Sequence, residues 1–205
     1  MENTLFPVFL KTDTAHFLIV GAGNVGLEKT ETLLKQNKNI RITIIGTIIN
    51  PKLKQIIDAY PTIDAFERPF EESDLDNKDY VIIGTDNSQV NLEVRNLAKA
   101  KGIKVNAADQ PDLCDFYLGS IVNKGSLKIA ISTNGKSPVL AKRMREYFTE
   151  VIPNDIEVSL DILNKLRANH KGDFQEKLND LNKITAGFTK KNKKSYWDRF
   201  KAYFE

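Results

Sequence analysis

The stretch Phe17-Leu18-Ile19-Val20-Gly21-Ala22-Gly23-Asn24-Val25-Gly26-Leu27-Glu28-Lys29 constrains the fold of this chain more than any other. Four apolar residues break into glycines at positions 21, 23 and 26, and apolar residues then recur at helical spacing through Leu33 and Leu34. A strand, a glycine turn and a helix in that order form a phosphate cradle. Gly21 permits the tight turn, Gly23 lets backbone approach a pyrophosphate, and Gly26 lets the helix lie close to the strand. The helix start would offer unpaired N–H groups and a positive dipole end to the anion. Three spaced glycines alone are a weak signal, because a packing turn can carry the same letters. Here they follow a strand, open a helix and head an α/β pattern, which points to dinucleotide binding.

Strand-like runs recur at 17–20, 40–45, 63–67, 80–84 and 103–107, with helical patterns at 24–37, 51–59 and 87–101 between them. Gly102 closes the last helix as a C-cap. Alternating strands and helices with nearly continuous apolar strands imply a parallel sheet covered on both faces. The expected fold class is therefore α/β, a Rossmann-like domain over residues 1–112. Two further strand-like runs, 116–123 and 126–133, are joined by Asn123-Lys124-Gly125-Ser126, a hairpin signal. Ser137-Pro138 then opens a helix, serine as cap and proline in the first turn. The hairpin's apolar positions (Phe116, Leu118, Ile121, Leu127, Ile129, Ile131) have little chain left to cover them. Residues 113–152 are accordingly expected to form a dimerisation region. Beyond Pro153 the pattern is helical, with Ile156, Leu160, Leu163 and Arg167 on one face and Phe174, Leu178, Leu181 and Ile184 on another. Trp197, Phe200 and Phe204 mark a third helix, completing a small helical domain over 153–205.

Cys114 is the only cysteine of the 205 residues, so there is no disulfide framework and a reducing compartment is expected. No apolar run approaches the ~20 residues of a membrane span, and the first residues lack the features of a signal peptide. A cytoplasmic location and no membrane partner follow as expectations. The net charge of +3 is uneven: residues 171–205 hold 9 Lys/Arg and 5 Asp/Glu, leaving −1 on residues 1–170. A run such as Lys190-Lys191-Asn192-Lys193-Lys194 attracts polyanions, but a solvated linker explains it as well. No nucleic-acid partner is assigned.

An NAD site usually carries an acidic residue at the end of its second strand, bonding the adenosine ribose. Here that strand runs into Gly46-Thr47-Ile48-Ile49-Asn50. Thr47 is placed to bond a ribose hydroxyl, and Thr47 and Ile48 to border the adenine. No arginine follows to favour a 2′-phosphate, so the sequence leans to NAD. After the fourth strand, Thr85 and Asp86 fall at the ligand edge of the sheet, facing the nicotinamide ribose, unless Asp86 or Asn87 simply caps the next helix. The fifth strand runs into Asp109, Asp112 and Asp115. Clustered carboxylates raise one another's pKa, which suits a general base near neutrality. Turn structure accounts for Asp112 and Asp115, leaving Asp109, nearest the strand end, as the catalytic candidate. Cys114 has no evident histidine partner, since only His16 and His170 exist, and is read as a small buried residue. The scattered Cys and His positions form no zinc motif. Finally, Ser132-Thr133-Asn134-Gly135-Lys136-Ser137 leads into a helix start with Lys142, Arg143 and Arg145 near it. That is a second anion-ready element for a ligand with several carboxylates, or else a well-capped surface helix.

Taken in order, GAGNVGLEK, GTDNSQVN, VNAADQPDLCDFYLGS and ISTNGKSPVLAKRMRE resemble the precorrin-2 dehydrogenase / sirohydrochlorin ferrochelatase family of sirohaem synthesis. The resemblance spans residues 5–153, and its last two motifs are more distinctive than the glycine loop. It implies NAD-dependent oxidation of precorrin-2 to sirohydrochlorin. In many members insertion of ferrous iron follows, the iron being a substrate. It also implies a homodimer and a tetrapyrrole substrate. By position Asp109 looks like the family's catalytic aspartate, and Asn24, Val25, Thr47 and Ile48 look like its NAD contacts. The resemblance leaves open a dehydrogenase without chelation, and the residues alone also admit a non-catalytic NAD-binding sensor.

Overall fold

Alternate residues along the three central strands of the main sheet enter two separate cores, which is why those strands read as nearly continuous apolar runs. In the computed structural model, which describes residues 3–169 and 173–185, the strands are β1 (His16–Val20), β2 (Arg41–Gly46), β3 (Ile63–Glu67), β4 (Tyr80–Ile83) and β5 (Lys104–Ala107). All four pairings are parallel and the order is β3-β2-β1-β4-β5. Phe17, Ile19, Ile42, Ile44 and Ile82 face one core with Leu33, Leu34 and Leu53. Leu18, Val20, Ile45, Val81 and Ile83 face the other with Leu75, Val94 and Ala98. Helices α1 (Asn24–Gln36) and α2 (Pro51–Ala59) thus cover one side of the sheet and α3 (Ser88–Ala100) the other. This is the α/β, Rossmann-like arrangement expected from the sequence, with strand and helix limits within a residue or two.

The β3–β4 crossover holds no α-helix. It is built around a 3₁₀ turn, Glu72–Leu75, that sends Leu75 into the core. Its anchor is Asp74, a buried carboxylate. Asp74 accepts the Glu71 N–H at 2.9 Å and bonds both terminal nitrogens of Arg68, at 2.6 and 2.9 Å. Beyond β5 the chain turns back along the sheet, where Phe116 packs edge-on against Tyr80, itself stacked on Phe17.

The chain divides into two compact units: residues up to Ser120 together with Ile131–Ala141, and Ile121–Ala130 together with the described residues from Lys142 onward. Strands β6 (Ser120–Lys124) and β7 (Leu127–Ile131) pair as a separate two-stranded sheet through a turn in which Gly125 has φ +60°. Helices α4 (Pro138–Val151), α5 (Ile156–Asn169) and α6 (Phe174–Thr185) follow. In the second unit Glu157 takes the backbone N–H and hydroxyl of Ser126, at 2.5 and 2.6 Å, and these bonds hold its carboxyl below the usual range. Lys142 and Arg143 both pair with Glu146, so the basic face of α4 is partly neutralised. Val122 is the sole buried side chain among this unit's described residues, whereas Val151, Val158 and Ile162 are exposed. The lysine run at 190–194 and the aromatics at 197, 200 and 204 lie outside the described residues.

Burial would push the Asp74 carboxyl up, but the Arg68 and Glu71 bonds outweigh it and hold the carboxyl below its ordinary value. A depressed carboxyl stabilises the fold above the unfolded-state value, near 3.8, and that stabilisation is lost as pH falls through the folded-state value. Asp74→Asn should therefore lower stability at pH 7 by about 1–3 kcal/mol, since it leaves a charged donor poorly matched. In urea melts the gap from the parent protein should shrink below about pH 4.

Candidate functional site

Strand order reverses at the centre of the sheet. From β1 the chain steps outward to β2 and β3, then returns to the other side of β1 for β4 and β5. The loops leaving β1 and β4 therefore diverge, and a crevice opens at the carboxyl edge between them. A cleft of about 900 Å³ occupies this place, lined by residues 21–25, 46–48, 68–70, 84–87 and 108–110 among others.

Contacts within the protein explain two of the three loop glycines. Gly21 has φ +110°, and a Cβ there would lie 2.6 Å from the Gly84 carbonyl group. A Cβ on Gly26 would collide with the Gly21 carbonyl oxygen. Gly23 is different: nothing lies within 4 Å of where its Cβ would be. Its φ of −82° is open to any residue, it precedes α1 as the N-cap, and no side chain caps that helix start. The protein itself gives no reason for glycine at 23. Bare backbone, a helix N-terminus and free space in front of it fit a dinucleotide pyrophosphate. Asn24 is fixed beside it by the Asn50 amide at 2.9 Å, while the Asn50 carbonyl oxygen caps α2.

Thr47 and Ile48 leave β2 exposed at the cleft, Ile48 at 77% exposure offering apolar surface for a flat ring. After β4, capping of α3 falls to Asn87, whose side chain accepts from Gln89 and Val90 N–H. Thr85 turns its hydroxyl to Asn91 Oδ1 at 2.5 Å, fixing the loop from within. Asp86 lines the cleft and makes no hydrogen bond or ion pair among the described residues.

The three aspartates after β5 do not gather. Asp115 forms a two-pronged pair with Arg95 at 2.8 and 2.9 Å and accepts the Val105 N–H at 3.0 Å. Asp112 lies in the 3₁₀ turn Pro111–Leu113, outside the set that lines the cleft. Asp109 alone lines it, exposed, with φ +57° and with no carboxylate partner among the described residues. Cys114 is only half-buried and is hydrogen-bonded rather than simply packed. Its sulfur accepts the Ala107 N–H at 3.2 Å and lies within bonding distance of the Ala107 and Gln110 carbonyls, bracketing Asp109. Burial pushes the thiol up, so it stays protonated as a donor.

Gly21, Gly23, Asn24, Val25, Thr47, Ile48, Thr85, Asp86 and Asp109 thus meet at one cleft, and Gly26 lies beneath Gly21. The loop Ser132–Ser137 is not among the lining residues. Its hydroxyls hold its own backbone: Ser132 takes the Asn134 N–H, Thr133 the Ser137 N–H, and Ser137 caps α4 through Leu140. Sequence reasoning missed Arg68, which lines the cleft from the end of β3. The signal was available only as strand register, since Arg68 follows a residue paired with the end of β2.

A family model described as NAD(P)-binding matches residues 8–120, more than half of the chain, and one for the central domain of sirohaem biosynthesis proteins matches 124–148. The chain belongs to the NAD(P)-binding family of the first model, and its second match is to sirohaem biosynthesis proteins. A siroheme synthase of Pseudoalteromonas atlantica is 34% identical over 169 residues, covering 82% of this chain and 36% of that one. Another, from Thioalkalivibrio sulfidiphilus, is 36% identical over 148 residues, covering 72% and 30%. The chain therefore spans about a third of the length of these sirohaem synthases. Among solved structures a precorrin-2 dehydrogenase superposes with a TM-score of 0.65 at 22% identity, covering 88% of this chain and 89% of that one, which shows a shared fold.

The glycines should separate in a stability test. Gly26→Ala forces backbone apart and should cost about 1–3 kcal/mol, the usual penalty of overpacking. Gly23→Ala, with open space before it, should leave the urea midpoint nearly where it was.

Proposed function

We propose that this protein oxidises precorrin-2 to sirohydrochlorin with NAD, on the path to sirohaem. The observation that supports this reading most is that one cleft presents both the bare backbone of Gly23 and the unpartnered carboxylate of Asp109. The match to sirohaem biosynthesis proteins and the names of the relatives support a tetrapyrrole as the substrate. NAD, when bound, accepts a hydride.

The chain's own residues do the rest. Backbone N–H groups at Gly23, Asn24 and Val25 hold the pyrophosphate, with Thr47 and Ile48 along the adenosine. Asp86 takes ribose hydroxyls on the nicotinamide side, on a turn fixed by Thr85. Loss of two hydrogens from the tetrapyrrole releases one as hydride and one as a proton, and the Asp109 carboxylate takes the proton. Asp109 stands on the β5 side of the switch point, opposite the adenosine end at β2. The loop Ser132–Ser137, which does not line the cleft, is the proposed contact for the substrate's carboxylates, through backbone and the exposed Lys136, since its hydroxyls hold the turn. Where ferrous iron is inserted afterwards, the tetrapyrrole supplies the nitrogen ligands and the exposed Asp109 carboxylate takes the two displaced pyrrole protons in turn, passing each to solvent.

Absorbance spectra of precorrin-2 with NAD and protein, first without and then with ferrous or cobalt ion, separate the readings. Sirohydrochlorin formation identifies the dehydrogenase, and a further change on adding metal identifies the chelatase. Unchanged precorrin-2 despite NAD binding would identify a sensor. Asp109→Asn should retain NAD binding yet slow dehydrogenation by roughly 10²–10⁴-fold, the usual worth of a general base. A near-normal rate in that variant would remove Asp109 from the mechanism.

The same reading includes a homodimer through residues 113–152. Its support is the thin core around β6 and β7, where Val122 alone is buried, and the exposure of Val139 and Leu140 on α4. Isolated hairpins and uncovered apolar side chains favour a second copy. Light scattering at micromolar concentration should give twice the mass of the chain; a monomer would contradict it.

A further inference from the structure

The residue that follows β2 sets which adenosine a cleft of this kind accepts. A carboxylate there bonds the ribose hydroxyls of NAD and repels a 2′-phosphate. This chain has Thr47 at that place, which repels nothing. The parallel register pairs Gly46 of β2 with Glu67 of β3. Thr47 and Arg68 therefore each leave the sheet one residue beyond that pair, on adjacent strands, and both line the cleft.

The guanidinium of Arg68 is held in one pose. Nη1 donates to Asp74 Oδ2 at 2.9 Å and to the Pro69 carbonyl at 3.0 Å, and Nη2 donates to Asp74 Oδ1 at 2.6 Å. The Phe66 ring lies against the group, 5.4 Å from its central carbon. Those three bonds use one end of the fork. The Nε–H and the second Nη2–H run parallel along the other edge and have no acceptor among the described residues. Two parallel N–H groups on a positioned guanidinium match two oxygens of a phosphate.

We propose that Arg68 is a 2′-phosphate ligand, so that the cleft takes NADP as well as NAD. Asp74 is the positioning residue: its buried carboxylate orients the fork while leaving the free edge to the nucleotide. The inference rests on the dinucleotide reading above.

Calorimetric titration of the intact chain with NAD⁺ and with NADP⁺ tests it. NADP⁺ should bind within about tenfold of NAD⁺, with Arg68 supplying charge-assisted bonds. Arg68→Lys keeps a cation opposite Asp74 but lacks the second edge, so the ratio of the NADP⁺ Kd to the NAD⁺ Kd should rise by about tenfold or more. An NADP⁺ affinity more than about a hundredfold weaker than NAD⁺ in the parent protein overturns the proposal, as does an unchanged ratio in the variant. Should the variant fail to fold, the parent protein still decides. Adenosine 2′,5′-bisphosphate should bind more tightly than 5′-AMP, and equal or weaker binding overturns the assignment. If neither dinucleotide binds, the dinucleotide reading itself falls and takes this inference with it.

Discussion

The carboxyl edge of the sheet is held together by backbone packed on backbone. Gly21 approaches the Gly84 carbonyl group too closely for any side chain, the Gly26 position lies against the Gly21 carbonyl oxygen, and a Cβ on Gly46 would fall 2.7 Å from the Ala22 backbone nitrogen. Two hydrogen bonds continue the strand pairing into this zone, from Gly21 N–H to Ile45 and from Gly84 N–H to Val20, both 2.8 Å. The starts of α1 and of the β4–α3 loop, and with them the width of the cleft, follow from these contacts. Because the contacts are between main-chain atoms, side-chain adjustment cannot relieve an added methyl group.

On this rigid edge the polar side chains divide into those that build the loops and those left over. Asn50, Asn87, Asn91 and Thr85 close turns and cap helices, each satisfying groups that a loop would otherwise bury or strand. Asp115 does the same for the segment after β5, tying α3 and the backbone of β5 through Arg95 and Val105. With that base fixed, and with Cys114 bonded on either side of it, residue 109 is set in the left-handed region. Aspartate tolerates that conformation better than most residues, so the turn carries a carboxylate at small conformational cost.

Much of this was legible in the sequence because it depended on local pattern. Unbroken apolar strands, the Gly102 cap, Ser137-Pro138 at a helix start and the glycine loop each encode local geometry within a few residues, and strands and helices form where those signals stand. What was not legible depended on side-chain partners far along the chain. Three nearby aspartates suggested one acidic cluster, but Arg95, 20 residues before Asp115, draws that carboxylate away. The β3–β4 crossover had no periodicity to read, since its stability comes from Asp74 and Arg68 rather than from an amphipathic face. Arg68 escaped notice for a related reason. It is 21 positions beyond Thr47 in the sequence, yet the parallel register makes it the next strand's equivalent residue.

The same division marks where function lies. Gly21, Gly26, Thr85, Asp74 and Asp115 have their identities explained by neighbours inside the fold, and replacing them is first a matter of stability. The missing side chain of Gly23, the carboxylates of Asp86 and Asp109 and the free edge of Arg68 have no such explanation: each is placed at the cleft, and no contact within the described chain requires it. A bare backbone at a helix start calls for an anion, a free carboxylate for hydroxyls or a proton, and a free guanidinium edge for a phosphate. The order in which the strands carry these groups, Arg68 from β3, Gly23 from β1, Asp86 from β4 and Asp109 from β5, matches the order of the sheet itself. Phosphate-directed groups therefore lie on one side of the switch point and carboxylates on the other. On the proposed reading, an extended dinucleotide laid across that edge would meet the cation at its adenosine end and the carboxylates where hydride and proton would leave. The polarity of the cleft is thus a consequence of strand order, fixed before any ligand arrives.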